Sequence, residues 1–270
     1  MDIAALYHSI QPCYPELKDQ VAIITGSARG IGKGIALRLA REGMKVVVHG
    51  HIQAETDATA AQLTGLGAEV LAVTANFRQE AEIYRLIDEA LQAFGRLDLL
   101  VNNAAELGRG QFFEVGLPLL EGELAVNIKA PYLLSYRAAD TMRAAGGGSI
   151  INISSVGGLR AHWRGLPYDM TKGAMDAMTR SMALELSGFH IRVNAIAPGL
   201  ILKEDVVYKR EEGWEAAVTK RIPLARTGNP QDIAAGVAFL ASRQASYITG
   251  QVIYIDGGIT AQLSPPGQDI

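Results

Sequence analysis

Seven short runs rich in β-branched residues, separated by longer stretches of helical periodicity, constrain this chain more than any other feature. The runs are VAIIT (21–25), KVVVH (45–49), EVLAVTA (69–75), LDLLVNN (97–103), SIINIS (149–154), IRVNAIA (191–197) and QVIYID (251–256). They are apolar almost throughout instead of alternating, as in strands covered on both faces. Helical patterns fill the gaps, at about 31–42, in AETDATAAQLTG and EAEIYRLIDEALQAF, and around 117–144, 167–187, 204–220 and 230–241. This alternation predicts an α/β fold: a single doubly wound, Rossmann-like domain with a seven-stranded parallel sheet and helices on both faces. Right-handed crossovers then place the loops that follow the strands along one edge, where ligands bind.

With 270 residues, 49% of them hydrophobic, the chain can bury a sizeable core. The expected layout is an N-terminal extension (1–18), one domain (19–262) with a substrate lid at 199–222, and a loose C-terminal tail (263–270). Pro12 and Pro15 predict that the extension is an irregular lead-in packed on the surface or on a partner subunit. The formal net charge is −3 with both signs interspersed, so neither a nucleic acid nor a membrane is an expected partner. The first twenty residues lack a basic start and a long apolar run, so neither a signal peptide nor a membrane span is expected there. Cys13 is the sole cysteine, which excludes a disulfide framework within the chain and fits a reducing, cytoplasmic setting.

TGSARGIG (25–32) joins the first strand to the first helix. Gly26 permits a tight turn, Gly30 clears a path for a pyrophosphate to approach the backbone, and Gly32 lets the helix pack closely. Ala28 and Ile31 lie on the same turn, and the helix start offers free N–H groups and a positive dipole end to phosphates. In this context the motif predicts dinucleotide binding. The second strand ends in His49, Gly50 and His51 with no carboxylate to grip ribose hydroxyls. A 2′-phosphate meets no repulsion there, Arg29 can reach it and His51 can add a donor, so NADP(H) is favoured over NAD(H).

These elements occur in order with VNNAA (101–105), Asn127, INISS (151–155), YDMTK (168–172), APG (197–199) and GQVIYIDGG (250–258). The chain thereby resembles the short-chain dehydrogenase/reductase family from about residue 18 to 260. Tyr168 and Lys172 match its Tyr-x-x-x-Lys pair, Ser155 stands at the family's serine position thirteen residues before the tyrosine, and Asn127 matches its active-site asparagine. On a helix Tyr168 and Lys172 share a face, so the lysine can lower the tyrosine pKa and sit beside the cofactor ribose. Tyr168 then serves as general acid or base and Ser155 steadies the substrate oxygen. Asn127, through its backbone carbonyl and a water, links Lys172 to solvent. The resemblance adds further cofactor contacts: His49, Asn76, Phe77, Asn102, Asn103, Ala104, Ala105, Pro198, Gly199 and Ile201. It also implies a homo-oligomer, a dimer or tetramer, built through the helices around 117–144 and 167–187 and the last strand.

Two positions depart from the family pattern. Ala105 replaces a glycine, which can shift the loop locally, and Lys203 replaces a threonine. Lys203 either approaches the nicotinamide or points to solvent. The substrate is less legible. Arg160, His162, Trp163 and Arg164 precede Tyr168, and Arg109 and Gln111 follow the fourth strand. They either form a polar wall suited to a sugar, polyol or oxo acid, or face solvent. YKREEGWEAAVTKRIP (208–223) reads as a short amphipathic helix, with Trp214, Ala217 and Val218 to one side, that can close over the site. A 3-oxoacyl thioester reductase is the alternative enzyme, and a non-catalytic NADP-binding scaffold or sensor the alternative of another class.

Overall fold

The structure, a computed structural model, describes residues 3–203, 213–264 and 266–267. Seven strands form one sheet in the order β3-β2-β1-β4-β5-β6-β7. They are β1 (Val21–Ile24), β2 (Lys45–Gly50), β3 (Val70–Thr74), β4 (Leu99–Asn102), β5 (Gly148–Ile153), β6 (Ile191–Pro198) and β7 (Val252–Ile255), and every pair is parallel. The chain winds outward in one direction to β3, returns, and winds the other way from β4. The order therefore reverses between β1 and β4, which opens a crevice beyond their carboxyl ends.

The alternation of side chains along each strand divides the interior into two cores. Ala22, Ile24, Val46, Val48, Val101 and Ile151 point to one face. There they meet α2 (Gly30–Arg41), α3 (Gln53–Gly65) and α9 (Pro230–Ala241), through residues such as Ile35, Leu39, Leu63 and Val237. Val21, Ile23, Val47, Leu100 and Ile150 point to the other face. They pack on α4 (Glu80–Phe94), α6 (Ala130–Ala144) and α7 (Leu166–Leu186) through Leu86, Ile87, Leu134 and Ala183. A strand covered on both sides has no solvent face to mark with polar residues, hence the unbroken apolar runs.

Caps set several boundaries. Gly95 ends α4 in the left-handed conformation, and Asn229 starts α9 with a capping box closed by Asp232. The helix expected around 117–144 is three segments on one path: α5 (Leu117–Leu124), a π-helical turn (Ala125–Lys129) and α6.

The lead-in is not irregular throughout. α1 (Ile3–Ser9) is helical and buries Tyr7 against α2, where the tyrosine hydroxyl donates to the Ala40 carbonyl. Buried Glu42 accepts the backbone N–H groups of Cys13 and Tyr14 and pairs with Arg38, which fixes the stretch that carries the prolines. Of the helix expected over 204–220, α8 (Trp214–Thr219) is present. Residues 204–212, at the heart of the expected lid, lie outside the described residues, as do 1–2, 265 and 268–270.

Candidate active site

The crevice is a cleft of about 1090 Å³ along the carboxyl edge of the sheet. Every expected catalytic and cofactor residue except Asn127 and Asn102 lines it, from the glycine turn and the end of β2 to Ser155, Tyr168, Lys172 and the 198–201 loop. Asn102 is buried in β4, where its Nδ2 donates to Ser135 Oγ and Asn152 Oδ1.

The glycine turn is built by close contact. Gly26 has φ +63°, and a Cβ there would lie 2.8 Å from the Ala104 Cα. A Cβ on Gly32 would lie 2.3 Å from the Gly26 carbonyl oxygen and 2.5 Å from Asn103 Nδ2. Gly32 thus lets α2 press on the turn and on the β4 loop, more than on the sheet. The β4 loop is tied to the turn from its side: Thr25 Oγ1 accepts the backbone N–H groups of Asn103 and Ala104, and Asn103 Nδ2 donates to the Thr25 and Gly26 carbonyls. Ala105 is exposed at the cleft, and the two amides before it stay anchored on Thr25.

His49, expected as a cofactor contact, lines the cleft from a buried position. The Gly26 N–H donates to its Nδ1, which therefore carries no proton, and Nε2 lies 3.1 Å from the Ala75 carbonyl and donates to it. Burial pushes its pKa down to about 4, and its ring stacks on Phe77 with centroids 4.2 Å apart. His49 is a neutral brace joining the first three strands, and it adds no charge to the cleft. Asn76 is exposed and closes a local turn, accepting the Arg78 N–H.

Arg29 is exposed at the start of α2, with His51 and Glu55 beside it on the cleft lip. Its Nη1 lies 3.8 Å from Glu55 Oε1. Glu55 was not visible in the strand-end motif, because it is brought to the lip by the first turn of α3. Lys203 lines the cleft and is partly buried. Its carbons run over Gly30, where a Cβ would lie 3.0 Å from Lys203 Cδ.

At the other end, Ser155 stands beside the Tyr168 hydroxyl at the cleft, while neighbouring Ser154 donates to the Lys172 carbonyl. Ser155 Oγ also accepts the Gly157 N–H, capping the short turn after β5. Lys172 is buried, donates to the Ile153 carbonyl at 2.7 Å, and stands 5.5 Å from the Tyr168 ring centroid. The expected lowering of the tyrosine pKa is not what these groups produce. Burial dominates and pushes the phenol up to about 12, with Ser155 and Arg109 opposing, and pushes the lysine ammonium down to about 8. The reason is that the lysine is turned to a backbone carbonyl in the interior, so that desolvation outweighs its charge.

Asn127 sits in the π-helical turn behind this pair, fully buried. Its side chain accepts the Glu106 N–H, donates to the Glu106 carbonyl and donates to Thr171 Oγ1. It clamps the β4 loop onto the helix that carries Tyr168 and Lys172. One turn earlier, buried Glu123 accepts the Gly108 N–H, and burial raises its carboxyl. Its spacing of four from Asn127 was the signal that could have found it.

The polar loop before Tyr168 divides. His162 and Arg109 line the cleft. Trp163 is 89% exposed, Arg164 pairs with Glu114 at the surface, and exposed Arg160 donates to the Thr260 carbonyl. Trp214 and Val218 of α8 line the cleft together with Arg221, while Ala217 is exposed. Among the described residues no group of His, Cys, Asp and Glu is placed to hold a metal, and no helix is long and apolar enough to cross a membrane.

A glycine turn at the switch point of a parallel sheet and a Tyr-Lys pair at the far end of the same cleft define a class of nicotinamide-dependent oxidoreductases. The family model described as enoyl-(acyl carrier protein) reductase matches residues 26–260, and the chain belongs to the short-chain dehydrogenase/reductase family, whose enzymes act on CH–OH groups with a nicotinamide cofactor. It is 36% identical to glucose 1-dehydrogenase 2 of Bacillus subtilis over 92% of this chain and 97% of that one. It is 35% identical to a 3-oxoacyl-[acyl-carrier-protein] reductase of Thermotoga maritima over 90% of this chain and 98% of that one. A solved 7α-hydroxysteroid dehydrogenase, complexed with NADH and 7-oxo glycochenodeoxycholic acid, superposes with a TM-score of 0.86 at 33% identity, covering 90% of this chain and 96% of that one.

Proposed function

We propose that this enzyme transfers a hydride between NADP(H) and a small polar alcohol or carbonyl compound, a sugar, polyol or oxo acid. The observation that carries the reading is Tyr168, sharing one cleft with Ser155, Lys172 and the glycine turn. The cradle fits a dinucleotide: Gly26, Gly30 and Gly32 carry the backbone of a helix start at the cleft, and the cover over Gly30 is the flexible side chain of Lys203, which can move aside for a phosphate. When bound, the nicotinamide supplies the hydride chemistry. Tyr168 holds the proton exchanged with the substrate oxygen, and its raised pKa keeps it in the donor form at neutral pH. Ser155 orients that oxygen and stabilises charge on it. Asn127 keeps the helix of Tyr168 and Lys172 against the β4 loop, and its backbone carbonyl would hold a water that passes protons between Lys172 and solvent.

NADP(H) is favoured because Arg29 and His51 stand on the lip where a 2′-phosphate would lie. An exposed pair such as Arg29–Glu55, 3.8 Å apart, holds its arginine weakly and frees it for a phosphate. The relatives include both a glucose dehydrogenase and a 3-oxoacyl carrier reductase, so the substrate class rests on Arg109 and His162 in the cleft wall. We further assign 199–222 as a lid, supported by Trp214 and Val218 facing the cleft, over a domain at 19–262 flanked by the 1–18 extension and the 263–270 tail. Exposed Tyr132, Tyr136 and Leu184 on α6 and α7 support a homo-oligomer, and the single cysteine, Cys13, fits a cytoplasmic setting.

The test is a panel of sugars, polyols, oxo acids and acetoacetyl thioesters, followed by absorbance of the reduced nicotinamide with each cofactor. Turnover of polar alcohols with NADP supports the reading. Turnover confined to thioesters would move it to the carrier reductase, and cofactor binding without turnover of any kind would move it to a scaffold or sensor.

A further inference from the structure

We infer that His162, locked in place by Asp169, is the specificity-determining residue of the cleft, hydrogen-bonding through Nε2 to a hydroxyl on the carbon next to the reacting one. The substrate is then a vicinally hydroxylated alcohol or its hydroxycarbonyl counterpart. This rests on the oxidoreductase reading of Tyr168 and narrows it.

Asp169, the residue after Tyr168, gives both carboxylate oxygens to His162. The backbone N–H of His162 donates to Oδ2 and the ring Nδ1 lies against Oδ1, each at 2.6 Å. One bond to the backbone would be enough to pin the loop. The second bond holds the proton on Nδ1 and fixes the direction of the ring, which leaves Nε2 as the ring's acceptor. The pair is also fitted into its place by two glycines. A Cβ on Gly157 would lie 2.3 Å from Asp169 Oδ1 and 3.0 Å from His162 Nδ1. A Cβ on Gly165 would lie 2.9 Å from His162 Cβ and 2.8 Å from Arg109 Nη1. Both glycines border a Ser155-to-Tyr168 loop that needs bare backbone there for the histidine, the carboxylate and the arginine to converge.

The position of the ring sets the chemistry. His162 lines the same cleft as Ser155 and Tyr168, and its ring centroid is 6.4 Å from that of Tyr168. Oxygens on adjacent carbons lie roughly 3 Å apart, and each hydrogen bond spans about another 2.8 Å, so two side chains that grip such a pair must stand about this close. Tyr168 and Ser155 take the reacting oxygen, and His162 accepts from its neighbour. A site built to bond a hydroxyl rejects the analogue that lacks it, because the polar group is then left unmatched.

The test compares matched substrates on the full-length enzyme: D-glucose with 2-deoxy-D-glucose, and 3-hydroxybutan-2-one with butan-2-one. The unaltered enzyme is expected to favour the hydroxylated member by about 10²-fold or more in kcat/KM. His162→Phe should bring the ratio to within ~3-fold by loss on the hydroxylated member alone, with the NADPH Kd unchanged, since an apolar ring keeps packing but loses the bond. His162→Gln retains an acceptor and should fall between, and it decides the matter if the phenylalanine protein does not fold. Asp169→Asn, acting through the histidine, should raise KM for the hydroxylated member more than it lowers kcat. Calorimetric binding of D-glucose to the NADP-loaded protein should weaken in parallel. A ratio near one in the unaltered enzyme, or a ratio unmoved in both His162 variants, overturns the inference and leaves the oxidoreductase reading standing. Failure of all four compounds to bind or react overturns the inference as well. If simple alcohols and ketones also fail, the oxidoreductase reading falls with it.

Discussion

Nδ1 of His49 accepts the backbone N–H of Gly26 at 3.0 Å, so a buried neutral imidazole holds the turn on which the cofactor cradle depends. Its folded pKa of about 4 lies below the ordinary 6.5, and the unfolded chain therefore binds the extra proton first. Stability from this group is complete above pH 6.5 and is lost as pH falls through about 4. The loss amounts to roughly 3 kcal/mol at the acid end. Chemical denaturation at a series of pH values should show that slope, and His49→Gln, which does not titrate, should flatten it. An unchanged acid slope in the variant would remove His49 from the account.

Arg29 and Glu55 make the choice of cofactor testable on the two sides of one contact. Arg29→Ala should weaken NADPH binding by about 10-fold or more and leave NADH within ~2-fold, because a charge-assisted bond to the 2′-phosphate is lost. Glu55→Gln should tighten NADPH by removing a like charge from the lip. Nicotinamide fluorescence titrations measure both. Equal losses for NADPH and NADH in Arg29→Ala would assign that arginine to the pyrophosphate or to nothing.

Gly32→Ala should fold poorly or lose cofactor affinity outright, because the added methyl would sit 2.3 Å from the Gly26 carbonyl oxygen. An obstacle made of backbone cannot rotate away as a side chain can. Thermal melting with and without NADPH distinguishes a folding defect from a binding defect. A variant that melts and binds as before would show that the turn can open.

The alternation of apolar runs gave the sheet, its parallel sense and its helices on both faces, because a doubly covered strand writes its environment into every residue. The family resemblance pointed to Ser155 over Ser154 through its offset of thirteen from Tyr168, and Ser155 lines the cleft with that tyrosine. What was not legible depended on packing between distant segments. His49 reads as a cofactor contact at a strand end, and its part as a buried brace held by Gly26 and Ala75 shows only in the fold. Asp169 reads as a spacer inside YDMTK and in fact carries His162, seven residues earlier. Lys203 reads equally as a nicotinamide contact or a solvated cation, and the placement of its carbons on Gly30 depends on the fold.

The raised phenol of Tyr168 gives the two reaction directions different pH behaviour. Burial favours the neutral form, which is the proton donor for carbonyl reduction. Alcohol oxidation needs the phenolate, so its rate should climb between about pH 7 and pH 9, while reduction should not climb over the same range. Initial rates in both directions with one substrate pair decide this. A flat oxidation profile would mean that another group takes the proton.

The Tyr168→Phe protein tests the central claim most directly. The phenylalanine ring fills the same space and lacks only the hydroxyl beside Ser155. It should bind NADPH with the affinity of the unaltered enzyme, by fluorescence titration, while turnover falls by roughly 10²–10⁴-fold. Turnover within ~2-fold of the unaltered enzyme, at unchanged NADPH affinity, would contradict the assignment of Tyr168 as the proton-transfer group.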